Sequence, residues 1–278
     1  MGLRQTRTRS RRHGELWKLL VAVLLTCLTL LGGGVGVYVW ATATRPSVRD
    51  QTTFCPLEGW KAVTVMLLDT SDPLPKATRD EVTKRLTDIA DDLPEHALLE
   101  VRLLDPAFAA GRVGFSLCNP GDGRGLNEFT GNPSLAKRRW SERFREPLDR
   151  ALDSGLQPQR SETSPILATL QGIAIDRFIG KAAGQIPKAL VIVSDMIEHG
   201  KDYSQYRGDL SYQRFKTTPV SAKFRTDLNG ATVQVLYVQR LIARPIDSGA
   251  HIRFWIDWIQ DNGGQLSKAI KLQGVGQS

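Results

Sequence analysis

The sequence predicts an α/β domain built on a mostly parallel sheet with helices on both faces, preceded by one transmembrane helix. Three observations predict this. Two short, continuous apolar runs, Ala62 to Asp69 and Lys188 to Ser194, each lead into an acid or end just before one. Runs of that length suit strands buried on both faces. Segments with apolar residues recurring every three or four positions lie between such runs, and strands alternating with helices imply a parallel sheet. Finally, Leu19 to Trp40 is 22 residues without a charge, enough to cross a hydrocarbon core of roughly 30 Å as a helix.

Arg4, Arg7, Arg9, Arg11, Arg12 and Lys18 precede the apolar segment, and only Glu15 opposes them. Positive charge ahead of a first apolar helix holds that end in the cytoplasm. The expected organisation is a basic cytoplasmic tail over 1–18, a transmembrane helix over 19–40, a polar stalk over 41–59 and an exported domain over 60–278. The protein is then a single-pass inner (plasma) membrane protein with its large domain in the periplasm or outside the cell. Ala41-Thr42-Ala43 also resembles a signal-peptide cleavage site. The apolar run is longer than the roughly 7–15 residues of a signal core, which favours a retained helix.

The formal charge is +8. Residues 1–45 hold seven Lys/Arg and one Glu, which leaves 30 basic and 28 acidic residues elsewhere. The excess is a topology signal rather than the strongly basic face of a nucleic-acid-binding domain. Lys137, Arg138, Arg139, Arg143 and Arg145 cluster around Trp140 and read as a solvated helix face, so no nucleic-acid partner is expected. Cys27 lies in the apolar segment. Cys55 and Cys118 both belong to the exported part, where an oxidising compartment makes them a candidate disulfide. Two buried free thiols are the alternative.

Along the domain, Val82, Leu86, Ile89 and Leu93 mark a helix over 75–92 that Pro94 ends. Ala97 to Leu104 reads as a strand. The Gly-, Pro- and Asn-rich stretch 105–134 reads as a long loop insertion. Leu135 to Leu152 and Ser164 to Phe178 read as helices, the second with Pro165 in its first turn. Ala231 to Val238 reads as a strand, Ile246 to Asn262 as a helix and Leu266 to Leu272 as a last short strand.

Parallel sheets bind ligands at the carboxyl ends of their strands. Asp69-Thr70-Ser71 and Ser194-Asp195 end two strands, and Ser164-Pro165 opens a helix. Carboxylates and hydroxyls converging there form an all-oxygen site suited to Mg²⁺ or Ca²⁺. In these motifs the chain resembles the von Willebrand factor A domain family, which has a Rossmann-like sheet. The resemblance implies a metal-ion-dependent adhesion site with Asp69, Ser71, Ser164 and Asp195 as ligands, with Thr163 a less well aligned candidate beside Ser164. It also implies a protein partner whose carboxylate completes the coordination. The second serine of the family's Asp-x-Ser-x-Ser motif is here Pro73, which has no side-chain oxygen. The implied site is therefore degenerate, with Asp72 the adjacent carboxylate.

No zinc-protease His-Glu-x-x-His, hydrolase Gly-x-Ser-x-Gly or phosphate-binding Gly-Lys-Ser/Thr motif is present. The expected function is a membrane-anchored interaction module that engages a protein at the sheet edge. A metal-dependent hydrolase using Asp69, Asp195 and His199 is the alternative, as is a metal-free assembly scaffold. Protease added to spheroplasts is expected to digest the large domain. Protection of that domain would overturn the orientation, and a soluble form starting near Arg45 would show cleavage.

Overall fold

A computed structural model describes residues 8–42, 48–126, 131–159, 161–180, 183–207, 210–239 and 246–272. Arg4, Arg7 and Ala43 of the expectations above lie outside them. The chain forms two compact units, Met1–Ser47 and Val48–Ser278.

The first unit is one helix, α1 (Thr8–Thr42). Its stretch Trp17–Tyr38 is 22 residues with mean hydropathy 2.3 and no part buried within the protein. At 1.5 Å per residue it is about 33 Å long, enough to span a bilayer. Cys27 sits within it as an exposed free thiol.

The second unit is a six-stranded sheet. Its strands are β1 (Val63–Leu68), β2 (Leu98–Leu103), β3 (Arg112–Cys118), β4 (Lys188–Ser194), β5 (Thr232–Val238) and β6 (Gln265–Leu272), in the order β3-β2-β1-β4-β5-β6. All pairs are parallel except β2 with β3. The helices are α2 (Lys76–Asp91), α3 (Pro133–Trp140), α4 (Glu146–Gly155), α5 (Ile166–Ile173), α6 (Tyr212–Lys216), α7 (Pro219–Lys223) and α8 (Ser248–Asp261). Side chains alternate along a strand. Thus Val63, Val65 and Leu67 of β1 enter one core with α5 and α8, and Met66 and Leu68 enter the other with α2 and α4. Both faces are covered, so β1 shows no polar alternation. Phe254, Trp255 and Trp258 of α8 are at most 1% exposed and fill the first core.

The expected loop 105–134 is corrected by β3, an antiparallel edge strand within it. Gly111 makes the turn into β3 at φ +72°, and a methyl there would stand 2.8 Å from the Leu103 carbonyl oxygen. The expected helix 135–152 is two helices joined by a π turn, Ser141–Arg145. The Glu146 amide bonds back to Ser141, and Pro147 then follows with no amide hydrogen of its own to place. A second π turn, Ala174–Phe178, extends α5. Pro165 stands just before the first turn of α5 rather than inside it.

The stretch Val48–Gly59, expected as stalk, belongs to the globular unit. The Cys118 amide donates to Thr53 O at 2.9 Å, and Leu57 N donates to Val48 O at 3.0 Å. Cys55 and Cys118 form a disulfide. On the face of β2 toward the α5 core, Glu100 and Arg102 are at most 1% exposed and pair at 2.8 Å. Arg177 and Ser116 also donate to Glu100, at 2.7 and 2.8 Å, and Asp176 takes Arg102 at 3.0 Å. These bonds satisfy the buried charges, as burial requires.

Alkylation without reductant is expected to leave Cys55 and Cys118 unlabelled. Replacing both with alanine is expected to cost about 2–4 kcal/mol, measured by denaturant unfolding. Two labelled thiols would overturn the pairing.

Candidate functional site at the sheet edge

Strands β1 and β4 are parallel neighbours, with Leu68 opposite Val193. Their carboxyl ends therefore deliver Asp69 and Ser194-Asp195 side by side, and the Asp69 amide still donates to Val193 O at 2.9 Å. One residue past each strand, the two carboxyls lie almost wholly buried, at 4% and 3% exposure.

Asp69 is the hub. Its Oδ1 accepts the Ser71 hydroxyl at 2.7 Å and the Ser71 amide at 3.2 Å. Its Oδ2 accepts the hydroxyls of Ser164 at 2.9 Å and Ser194 at 2.8 Å. Ser164 is held by a two-way backbone bridge to His199, with Ser164 N to His199 O at 2.7 Å and the reverse bond at 3.0 Å. Ser164, rather than Thr163, thus carries the hydroxyl that reaches Asp69. Ser194, read from the sequence as the end of a strand but not among the four expected ligands, thus adds a third hydroxyl on Asp69. Asp72 and Pro73 are both exposed.

Asp195 Oδ1 accepts the Ile197 amide at 2.9 Å. Burial pushes the Asp195 carboxyl up to about 8, and the neighbouring Asp69 adds to the shift. Glu198, not anticipated from sequence, is 2% exposed, and its Oε2 accepts the Leu167 amide at the start of α5 at 2.8 Å. Burial raises it to about 8 as well. Nothing in the primary pattern marks Glu198, because its position follows from the 196–205 loop folding over α5.

A buried polar layer supports this edge. Met196 adopts a left-handed backbone at φ +59°, which is strained for a side chain of this kind. Its carbonyl lies 2.8 Å from Trp255 Nε1 and 3.0 Å from His251 Nε2, and its amide donates to Ser194 Oγ at 2.8 Å. His251 Nδ1 stands 2.9 Å from the Tyr237 hydroxyl. Burial lowers His251 to about 4, so the ring is neutral. His199 places its Nδ1 2.9 Å from Ser204 Oγ and packs edge-on against Tyr206. Within the Lys137–Arg145 cluster, Arg138 pairs with Glu142, and Arg145 with Asp149 and Asp91.

Two carboxyls and three hydroxyls form an oxygen-only set, chemically suited to a hard cation. Three of its members, the hydroxyls, already donate to Asp69. Among the described residues, no group of three or more His, Cys, Asp or Glu side chains is placed to hold a metal.

No protein-family model matches the chain, and no curated protein matches it. Solved structures similar to the chain include the following two. One is conserved hypothetical protein BatB from Bacteroides thetaiotaomicron, with 13% identity, a TM-score of 0.39, and coverage of 77% of this chain and 91% of that one. The other is an aerotolerance-related membrane protein from Bacteroides fragilis NCTC 9343 with multiple mutations to serines. It has 14% identity, a TM-score of 0.33, and coverage of 76% of this chain and 91% of that one. At these values neither likeness carries a residue role or an activity across.

The raised carboxyls fix a pH dependence. Asp195 and Glu198 bind protons more tightly folded than unfolded, where they titrate near 3.9 and 4.3. Their contribution is full below those values and is lost as pH rises toward about 8. Cation-free melting temperature is therefore expected to fall between about pH 4 and pH 8. Asp195→Asn or Glu198→Gln should flatten that slope and raise stability at pH 8. An unchanged slope in both variants would contradict the assignment.

Proposed function

We propose that this chain is a membrane-tethered interaction module whose globular unit engages a protein partner at the carboxyl edge of its sheet. The tether is the apolar stretch of α1, and the charge asymmetry ahead of it favours a cytoplasmic N-terminus with the module in the periplasm or outside the cell. One observation carries the reading. Three separate segments, after β1, before α5 and after β4, bring Asp69, Ser71, Ser164, Ser194 and Asp195 to one edge. That is the arrangement the von Willebrand factor A resemblance implies for partner capture. A divalent cation, Mg²⁺ or Ca²⁺, would be held by Asp69, Ser71, Ser164 and Asp195. It would supply a coordination position for a partner carboxylate, and Pro73 leaves the set one protein oxygen short of the family pattern.

The satisfied oxygens of Asp69 favour a second reading, a metal-free scaffold using the same edge. Without a cation, hydroxyl hydrogens and a proton on Asp195 do the neutralising. A hydrolase would need a general base or nucleophile poised at the edge. His199 points its Nδ1 at Ser204, which gives that reading little support.

Thermal melting of the full chain with Mg²⁺, Ca²⁺, Mn²⁺ or chelator separates the first two readings. Cation binding should stabilise by about 2.7 kcal/mol at a hundredfold excess over the dissociation constant, and Asp195→Ala should abolish that gain. A folded sample indifferent to every ion would leave the metal-free scaffold as the reading.

A further inference from the structure

Next to the sheet edge lies a half-open cleft of about 420 Å³. Its volume is within the range of ligand pockets. Pro106, Phe108, Pro165, Ala168, Tyr203 and Phe224 form its walls. We propose that this cleft docks an extended segment of a protein partner that carries a bulky apolar side chain next to a carboxylate. The proposal rests on the interaction-module reading and names the kind of partner.

Three observations support it. The first is a held-out aromatic. Phe108 is 50% exposed, yet the loop bearing it is firmly fixed. Phe108 N donates to Asp105 O and Gly111 N to Phe108 O, both at 3.0 Å. The fully buried Arg102 gives a donor to Ala110 O at 3.0 Å. The Ala109 carbonyl lies so close to Gly172 that any Cβ there would overlap it. An apolar ring displayed on a rigid loop is pre-organised for contact and loses little conformational entropy on binding.

The second is charge. Lys201 and Lys223 line the cleft. Asp202 pairs with Lys223 at 2.6 Å, and Glu198 is buried with its Oε2 on the Leu167 amide. Of the two lysines, Lys201 is the one outside that ion pair, and it sets one positive charge beside the apolar walls, which complements a carboxylate next to an apolar residue. The third is continuity. Thr163 and Pro165 line the cleft on either side of Ser164, and Glu198 and Gly200 on either side of His199. A segment lying in the cleft thus runs alongside the Ser164–His199 bridge toward Asp69.

The test pans a phage-displayed random dodecapeptide library on the full chain in phosphatidylcholine nanodiscs. Selected peptides are then synthesised and titrated by fluorescence anisotropy. The expected consensus has an aromatic or branched aliphatic residue beside Asp or Glu. Ala168→Trp, which fills the cleft, and Phe108→Ala, which removes its exposed wall, should each weaken binding about tenfold, with melting unchanged for Phe108→Ala. Lys201→Glu with Lys223→Glu should weaken acidic peptides and spare neutral ones. No enrichment over empty discs, a basic consensus, or affinity indifferent to both cleft variants overturns the proposal. Asp195→Ala separates the two ideas. Peptides that depend on Asp195 but not on Phe108 sink the cleft and keep the edge. Peptides that depend on Phe108 but not on Asp195 keep the cleft and sink the edge.

Discussion

The carboxylate of Asp69 is the interaction on which the organisation of the sheet edge depends. It accepts four hydrogen bonds, from Ser71, Ser164 and Ser194. These donors arrive from the turn after β1, the entry to α5 and the end of β4. A buried carboxylate with one partner missing would carry a large desolvation cost, so each segment is tied to the others through one residue. Charge-assisted hydrogen bonds of this kind are also stronger than neutral ones. At Asp195, one residue beyond Ser194, burial first and the neighbouring Asp69 second raise the carboxyl to about 8.

Rigidity below the edge follows from the same logic. Met196 holds a left-handed backbone that its side chain disfavours, and its amide and carbonyl are each fixed by buried partners in Ser194, His251 and Trp255. The chain leaving β4 is thereby aimed so that Glu198 reaches α5 and His199 bridges Ser164. The aromatic packing of α8 and the polar edge are one construction, since Trp255 both fills the core and donates to Met196. A neutral His251 in the layer below adds no positive charge that would neutralise Asp195.

How much of this was legible in the sequence depended on burial. The strands β1, β4 and β5 stand out because both their faces are covered, which makes them continuous apolar runs. Strand β3 was hidden among turn residues for the opposite reason. It is an edge strand, half exposed, and broken at Gly114 beside a register shift opposite Val101 and Arg102. Asp69, Ser71, Ser164 and Asp195 were readable from their places at strand and helix ends. Ser194 was readable as a strand end, but its bond to Asp69 depends on β1 and β4 lying side by side. Glu198 was not readable at all, because a loop residue becomes buried only through contacts distant in sequence. The stretch Val48–Gly59 looked like a tether by composition, and its disulfide, the Thr53–Cys118 backbone bond and the Arg49 contacts to Pro120 and Glu95 make it part of the fold.

The position of Pro73 sharpens what the edge can do. A hydroxyl there would add an oxygen to the Asp69 set, whereas proline adds none, and both it and Asp72 face solvent. The remaining hydroxyls have a ready acceptor in Asp69, so a cation must compete with hydrogen bonds already made and must displace the proton from Asp195. That competition is governed by pH. Raising pH toward about 8 removes the Asp195 proton, increases repulsion between the two carboxylates, and so strengthens the attraction for any cation present. At lower pH a proton on Asp195 lessens that repulsion. A cation at this edge would therefore be held more strongly as pH rises, and protonation of Asp195 would weaken that hold.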